Sequence, residues 1–175
     1  YGGTVVALAL DENGIPDNAD GRIAIARRIY AKAASYGIAA KDIIIDGLAM
    51  TISSDNRSAL ATLETLRRVR DELGGHTILG VSNISFGLPV RKNIYQAFMV
   101  LAMNAGMDSA IVDPTNKNMI GMIYATNALL ERDEYCLQYI DKFGNKASEE
   151  AAQPAPASPL DEKMQKVFKL TQDGK

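Results

Sequence analysis

The chain has 175 residues, 47% of them hydrophobic and 23% charged, enough apolar material for one sizeable core and too much for a disordered polypeptide. A formal net charge of -2 with a pI near 5.4 gives no electrostatic reason to expect a nucleic-acid or membrane-surface partner. One cysteine, Cys136, excludes an intrachain disulfide, and one histidine, His76, leaves no metal site of the usual ligand number.

A reducing, cytoplasmic setting is the simplest expectation. No run of about 18 apolar residues is present, and the N-terminus lacks a basic segment followed by an apolar one, so neither a membrane span nor a signal peptide is expected. The opening "YGGTVVALAL" enters an apolar run with almost no preamble, which reads as a domain cut open.

Thr4 to Leu10 is a continuous apolar run, the pattern of a strand buried on both faces, and it stops at Asp11. After the polar loop "DENGIPDNAD", Gly21 to Tyr36 places Ile23, Ile25, Ala26, Ile29, Tyr30 and Ala33 near one helical face, with Gly37 as its stop. The unit then repeats: "DIIIDG" is a strand ending in Asp46, and a helix runs from about Arg57 to Leu73, closed by Gly74 and Gly75. His76 to Val81 is a third strand ending in Ser82 and Asn83, followed by a helix from Asn93 to Ala105 closed by Gly106. "DSAIVD" makes a fourth strand ending in Asp113, and a last helix starts near Thr115 as N-cap and continues to about Glu131.

The polar strand ends Asp11, Asp46, Asn83 and Asp113 recur at near-regular intervals, each the length of one strand, one helix and two loops. Strands alternating with helices predict a parallel α/β sheet. Polar residues at all four strand ends favour a (β/α)8 barrel, whose function gathers on the loops after the strand C-termini. A doubly wound sheet often carries a glycine-rich phosphate loop, and neither GxGxxG nor GxxxxGK[ST] occurs here. A complete barrel takes roughly 250 residues, so four units predict half of one.

The expected organisation is therefore a half-barrel over 1–146, an Ala/Pro-rich linker over 147–160 ("ASEEAAQPAPASPL") and the opening helix of a further domain over 161–175.

Asp46 admits two readings. It is either a loop-capping carboxylate or the acceptor of two parallel hydrogen bonds from an amidine-like ligand edge. Asn83 either satisfies loop backbone or donates to developing charge without having to titrate. Asp11 and Asp113 share the strand-end position, Ser82 adjoins Asn83, and Arg91 follows "GLPV" with a guanidinium suited to clamping a carboxylate; each also has an ordinary structural reading as a turn or helix-start residue. His76 opens its strand, away from the strand ends, and is set aside. Cys136 is expected to be a packed helical thiol, Met99, Met103 and Met107 core residues, and "LRRVRDEL" a solvated helix face.

The run "ILGVSNISFGLPVRKNIYQAFMVLAMNAGMDSAIVDP", with "DIIIDGL" upstream, resembles the pterin-binding methyltransferases: the methyltetrahydrofolate-binding domain of cobalamin-dependent methionine synthases and the methyltetrahydrofolate:corrinoid methyltransferases. The likeness spans about Tyr1 to Phe143, and "GVSNIS" is its most specific part. It implies the C-terminal half of a TIM-type barrel that holds 5-methyltetrahydrofolate at the strand C-termini. A carboxylate matching Asp46 would bind the pyrimidine edge, and an amide matching Asn83 would hydrogen-bond the nitrogen bearing the methyl group. Ser82, Asp11, Arg91 and Asp113 are the further substrate-binding candidates.

The resemblance further implies a corrinoid carried by another domain or partner protein, with the methyl acceptor being its cobalt(I), and a half-reaction that needs no protein-bound metal. It also implies an N-terminal half of the barrel, or self-association, to cover the first strand. Two other readings stand beside it, a non-catalytic half-barrel assembly module and a dihydropteroate synthase, although the synthase carries a basic "SRK"-type sequence where this chain has "SNI".

Overall fold

The apolar runs become strands and the amphipathic segments between them become helices. The structure, a computed structural model, describes residues 2–151. In chain order the first unit holds β1 (Val5–Leu8), α1 (Ala19–Ser35), β2 (Ile43–Asp46), α2 (Ser58–Leu73), β3 (His76–Gly80), α3 (Arg91–Asn104), β4 (Ser109–Ile111) and α4 (Lys117–Leu129). The chain divides into two compact units, one ending at Arg132 and one beginning at Asp133. The second contains a 3₁₀ turn, Glu134–Cys136, and α5, Leu137–Ala151.

The four strands are all parallel and lie in the order β1-β2-β3-β4. A doubly wound sheet reverses its order at a switch point; a barrel adds each strand on the same side of the last. Because parallel crossovers are right-handed, an unreversed order puts all the intervening helices on one face. Consistent with that, α1 packs on α2, α2 on α3, and α3 on α4. The architecture is that of a partial TIM-type (β/α)8 barrel.

Helix limits follow local chemistry. α1 starts two residues before the expected Gly21, because the Asn18 side chain accepts the Gly21 N–H at 2.9 Å and caps the first turn. α2 ends where Gly74 takes the left-handed conformation (φ 58°) and returns its N–H to Arg70. The cap of α4 is Asn116, not Thr115: the Asp113 carboxylate takes both the N–H and the hydroxyl of Thr115, and Asn116 Oδ1 accepts the Met119 N–H.

The sheet has two unlike faces. Ile43, Ile45, Thr77 and Leu79 are buried beneath the helices. Ile23, Ala26 and Val69 close one cluster with Ile43 and Ile45, while Leu66, Val81, Ile84, Phe98 and the expected Met99, Met103 and Met107 form the other with Leu79. On the opposite face, Ile44, Asp46 and Ile78 are half-buried, and Val6, Leu8 and Ile111 are exposed. The expected burial of Thr4–Leu10 on both faces is thus corrected: Val5, Val6 and Leu8 are 45%, 53% and 47% exposed. β1 is an edge strand, and among the described residues no element packs on its second face, which an apolar run cannot announce by itself.

In the second unit, the Asp133 carboxylate accepts the Gln138 and Tyr139 N–H groups, both at 2.9 Å, and so caps α5. Cys136 is exposed and lies in the 3₁₀ turn with φ 57°, which corrects the expected packed helical thiol. α5 runs through the expected boundary at 146 as far as Ala151. The rest of the expected linker and the segment 161–175 lie outside the described residues. Among the described residues, no helix is long and apolar enough to cross a membrane.

Candidate functional site

Asp46 closes β2 on the open face of the sheet. Alternation along the strand puts Ile43 and Ile45 toward the helices and Ile44 and Asp46 away from them. One carboxylate oxygen, Oδ1, accepts the Leu48 N–H at 2.8 Å. Burial pushes the carboxyl above its ordinary range, and the Leu48 hydrogen bond opposes that shift. Leu48 itself is in the left-handed region, φ 57°, an uncommon conformation for a branched side chain.

β3 ends one strand over, with Asp46 in register with Ile78. The chain then tightens into a 3₁₀ turn, Val81–Ser85, which buries Val81, Ile84 and Ser85 and leaves Ser82 and Asn83 exposed. A Cβ built on Gly80 would lie 3.1 Å from Asn83 Nδ2, so the amide lies over the space left by the missing side chain. Gly80 is two residues beyond Ile78 and shares its face, which is also the face of Asp46. The structure thus brings Asp46 and Asn83 to one face at the C-terminal ends of neighbouring strands.

The two loops are fastened to each other. Ile52 N–H donates to Ile84 O at 3.1 Å, and the Thr51 and Ser53 hydroxyls both donate to Phe86 O, at 2.6 and 2.8 Å. Arg91 braces the turn from the start of α3: its Nη2 donates to Ser82 O at 3.1 Å, its Nε to Ser85 Oγ at 3.2 Å, and its guanidinium stacks 4.3 Å from the Phe86 ring centroid. A cavity of about 450 Å³ opens beside this turn, lined in part by Ser82, Arg91, Tyr95, Asp113 and Asn116. Asp46 and Asn83 are outside its lining.

The other strand-end carboxylates are occupied locally. Asp11 accepts the Asn13 N–H at 3.0 Å and pairs with Arg28 at 2.6 Å; these contacts hold its carboxyl below the ordinary range. Asp113 accepts the Thr115 N–H and hydroxyl at 2.8 and 2.7 Å and is lowered by them. His76 stands at the opposite strand end, 3.6 Å from Asp108. Among the described residues no cluster of three or more His, Cys, Asp or Glu side chains could hold a metal ion.

Sequence reasoning missed Arg22, which is 1% exposed. It donates to Pro16 O, Gly47 O, Leu48 O and Thr62 Oγ1, and so reaches the backbone immediately after Asp46. A signal existed: Arg22 falls on the same stripe of α1 as Ala19, Ile23 and Ala26, where a charge has no solvent to face.

Comparison with known proteins shows the family of the chain. Residues 1–113 match the model of the family described as pterin binding enzyme. A methylcorrinoid:tetrahydrofolate methyltransferase of Eubacterium limosum is 39% identical over 142 residues, covering 79% of this chain and 52% of that protein. A methionine synthase of Mycobacterium tuberculosis (strain ATCC 25618 / H37Rv) is 35% identical over 120 residues, 64% of this chain and 10% of that protein, and the methionine synthase of Mycobacterium leprae (strain TN) matches to the same extent. The chain therefore spans about half the length of the first relative and a tenth of the other two. With the family match extending over well over half of its residues, the chain belongs to the pterin binding enzymes.

Proposed function

We propose that this chain supplies the C-terminal half of the pterin cup of a methyltransferase that moves a methyl group between 5-methyltetrahydrofolate and a corrinoid. The observation that carries the reading is the placement of a half-buried carboxylate, Asp46, and an exposed amide, Asn83, on one face at the ends of adjacent strands. The similarity to a methylcorrinoid:tetrahydrofolate methyltransferase and to methionine synthases supports it.

Asp46 recognises the pyrimidine edge. Its carboxylate accepts paired N–H groups, an arrangement stronger than neutral hydrogen bonds and most favourable where water is partly excluded. Asn83 acts at the nitrogen that bears the methyl group. As the carbon–nitrogen bond breaks, its electron pair returns to nitrogen, which takes up a proton from solvent. A donor whose hydrogen bond strengthens in the transition state lowers that barrier, and an amide does so without changing its own charge. The corrinoid, carried by another domain or protein, supplies cobalt(I) as the methyl acceptor. The name of the Eubacterium limosum relative writes the transfer in the reverse sense; one transition state serves both directions.

Arg91 and Ser82 hold the turn that presents Asn83, and the strands of the other barrel half cover the open face of Val6, Leu8 and Ile111. The test is methyl transfer to cob(I)alamin by the protein at its natural length. Asn83→Ala is expected to lower kcat by about 10²- to 10³-fold, with a smaller effect on pterin binding, and an unchanged rate rejects the assigned role.

A second reading, assembly without catalysis, draws on the exposed apolar edge of β1. Light scattering separates the two: a stable self-associated species that binds no pterin favours assembly.

A further inference from the structure

Arg22 is a full charge on the apolar stripe of α1, and among the described residues it forms no direct ion pair. Asp17 and Asp55 influence it only through space, while burial lowers the pKa of its guanidinium. A guanidinium stays charged even so. Burying a charge without a paired carboxylate is unfavourable unless hydrogen bonds replace the lost water. Here they do: Nε donates to Pro16 O at 2.9 Å, and Nη1 is directed at Gly47 O (2.9 Å), Leu48 O (3.1 Å) and Thr62 Oγ1 (3.0 Å).

Two of those acceptors are the consecutive carbonyls that follow Asp46. Leu48 is held at both ends, its N–H by Asp46 Oδ1 and its carbonyl by Arg22 Nη1, in a left-handed conformation that its side chain disfavours. Strained backbone persists only where its surroundings over-determine it. Thr62 completes the clamp from α2, accepting from Arg22 and back-bonding to Ser58 O at 2.9 Å.

We propose that Arg22 is a positioning residue for pterin recognition: it locks Gly47 and Leu48 so that the Asp46 carboxylate is presented, already anchored by one oxygen, to the ligand edge. This rests on the reading of Asp46 as the pterin-binding carboxylate. A helix–loop core contact of no functional consequence would be the alternative, and the two differ in how losses combine with those of Asp46.

The experiment uses the protein at its natural length with 5-methyltetrahydrofolate as probe, measuring Kd by titration, KM and kcat with cob(I)alamin, and thermal melting. Arg22→Met, where folded, is expected to raise Kd and KM by about tenfold while kcat at saturating pterin stays within about threefold. Arg22→Lys, which keeps a charged donor near the carbonyls, recovers most of the loss. The Arg22→Met/Asp46→Asn double variant binds within about twofold of Asp46→Asn alone, because each change disables the same contact. Losses that multiply, or an unchanged Kd in folded Arg22→Met, overturn the proposal. If Arg22→Met does not fold, Thr62→Val carries the test, with a Kd raised about threefold and the same failure to multiply with Asp46→Asn; an unchanged Kd there also overturns it. An Asp46→Asn protein that binds pterin like the wild type removes the functional reading and this proposal together. A weakened Asp46→Asn beside an unaffected Arg22→Met removes this proposal alone.

Discussion

Asp46 closes one strand of the parallel sheet and Asp113 follows another, and their carboxylates end in opposite conditions. Asp113 is exposed and satisfied by its own turn, with the Thr115 N–H and hydroxyl holding its carboxyl below the ordinary range. Asp11, after β1, is likewise engaged by Asn13 and Arg28. Asp46 is half-buried, accepts one backbone N–H, and is raised by desolvation. A carboxylate that its turn has already solvated gains little from a ligand. One that burial has left short of donors gains most, so the strand-end position marks a candidate only when local partners leave it unspent.

The comparison breaks most directly by substitution. Asp46→Asn is expected to weaken 5-methyltetrahydrofolate binding by about 10- to 100-fold in a titration, the loss of a charge-assisted contact; Asp113→Asn is expected to stay within about twofold. Equal losses would erase the distinction. A smaller effect sharpens the Asn83 side of the site: Gly80→Ala places a methyl group 3.1 Å from Asn83 Nδ2 and should lower kcat by about tenfold in steady-state assays, with pterin affinity nearly intact.

The pH dependence of folding gives the smallest effects and opposite signs. Asp11 and Asp113 have lowered values, so their stabilisation is complete above the ordinary 3.8 and is lost as pH falls below it through the folded values. Melting curves of Asp11→Asn and the wild type should therefore converge in acid. Asp46 has a raised value, so the folded state binds its proton more tightly and stability declines as pH rises from 3.8 through the raised value. At pH 7, Asp46→Asn should melt higher than the wild type in calorimetry, a gain in stability accompanying the loss of binding.

Much of this was legible in the residues. α2 was expected over Arg57–Leu73 and spans Ser58–Leu73, because the apolar stripe and Gly74 are both local signals. Alternating strands and helices were equally readable, but the choice between winding patterns depended on the absence of a glycine-rich loop; the unreversed strand order decides it independently. What stayed hidden depends on contacts distant in sequence. Whether β1 is covered depends on what packs against it, not on Val5 or Val6. Arg22 resembled one more helix charge, since its acceptors at Gly47 and Leu48 lie 25 and 26 residues away. Thr115 lost the cap of α4 to Asn116 through a competitor, Asp113, that had been considered for another role.

The fastening at Phe86 separates two things that usually vary together. Thr51 and Ser53 bond its main-chain carbonyl, which every residue type possesses, whereas its ring stacks under the Arg91 guanidinium. Substitution at position 86 can therefore retune the hold on Arg91 while the tie between the loops behind Asp46 and Asn83 is inherited unchanged. One position can thus alter how Arg91 is held without loosening the tie between the two loops.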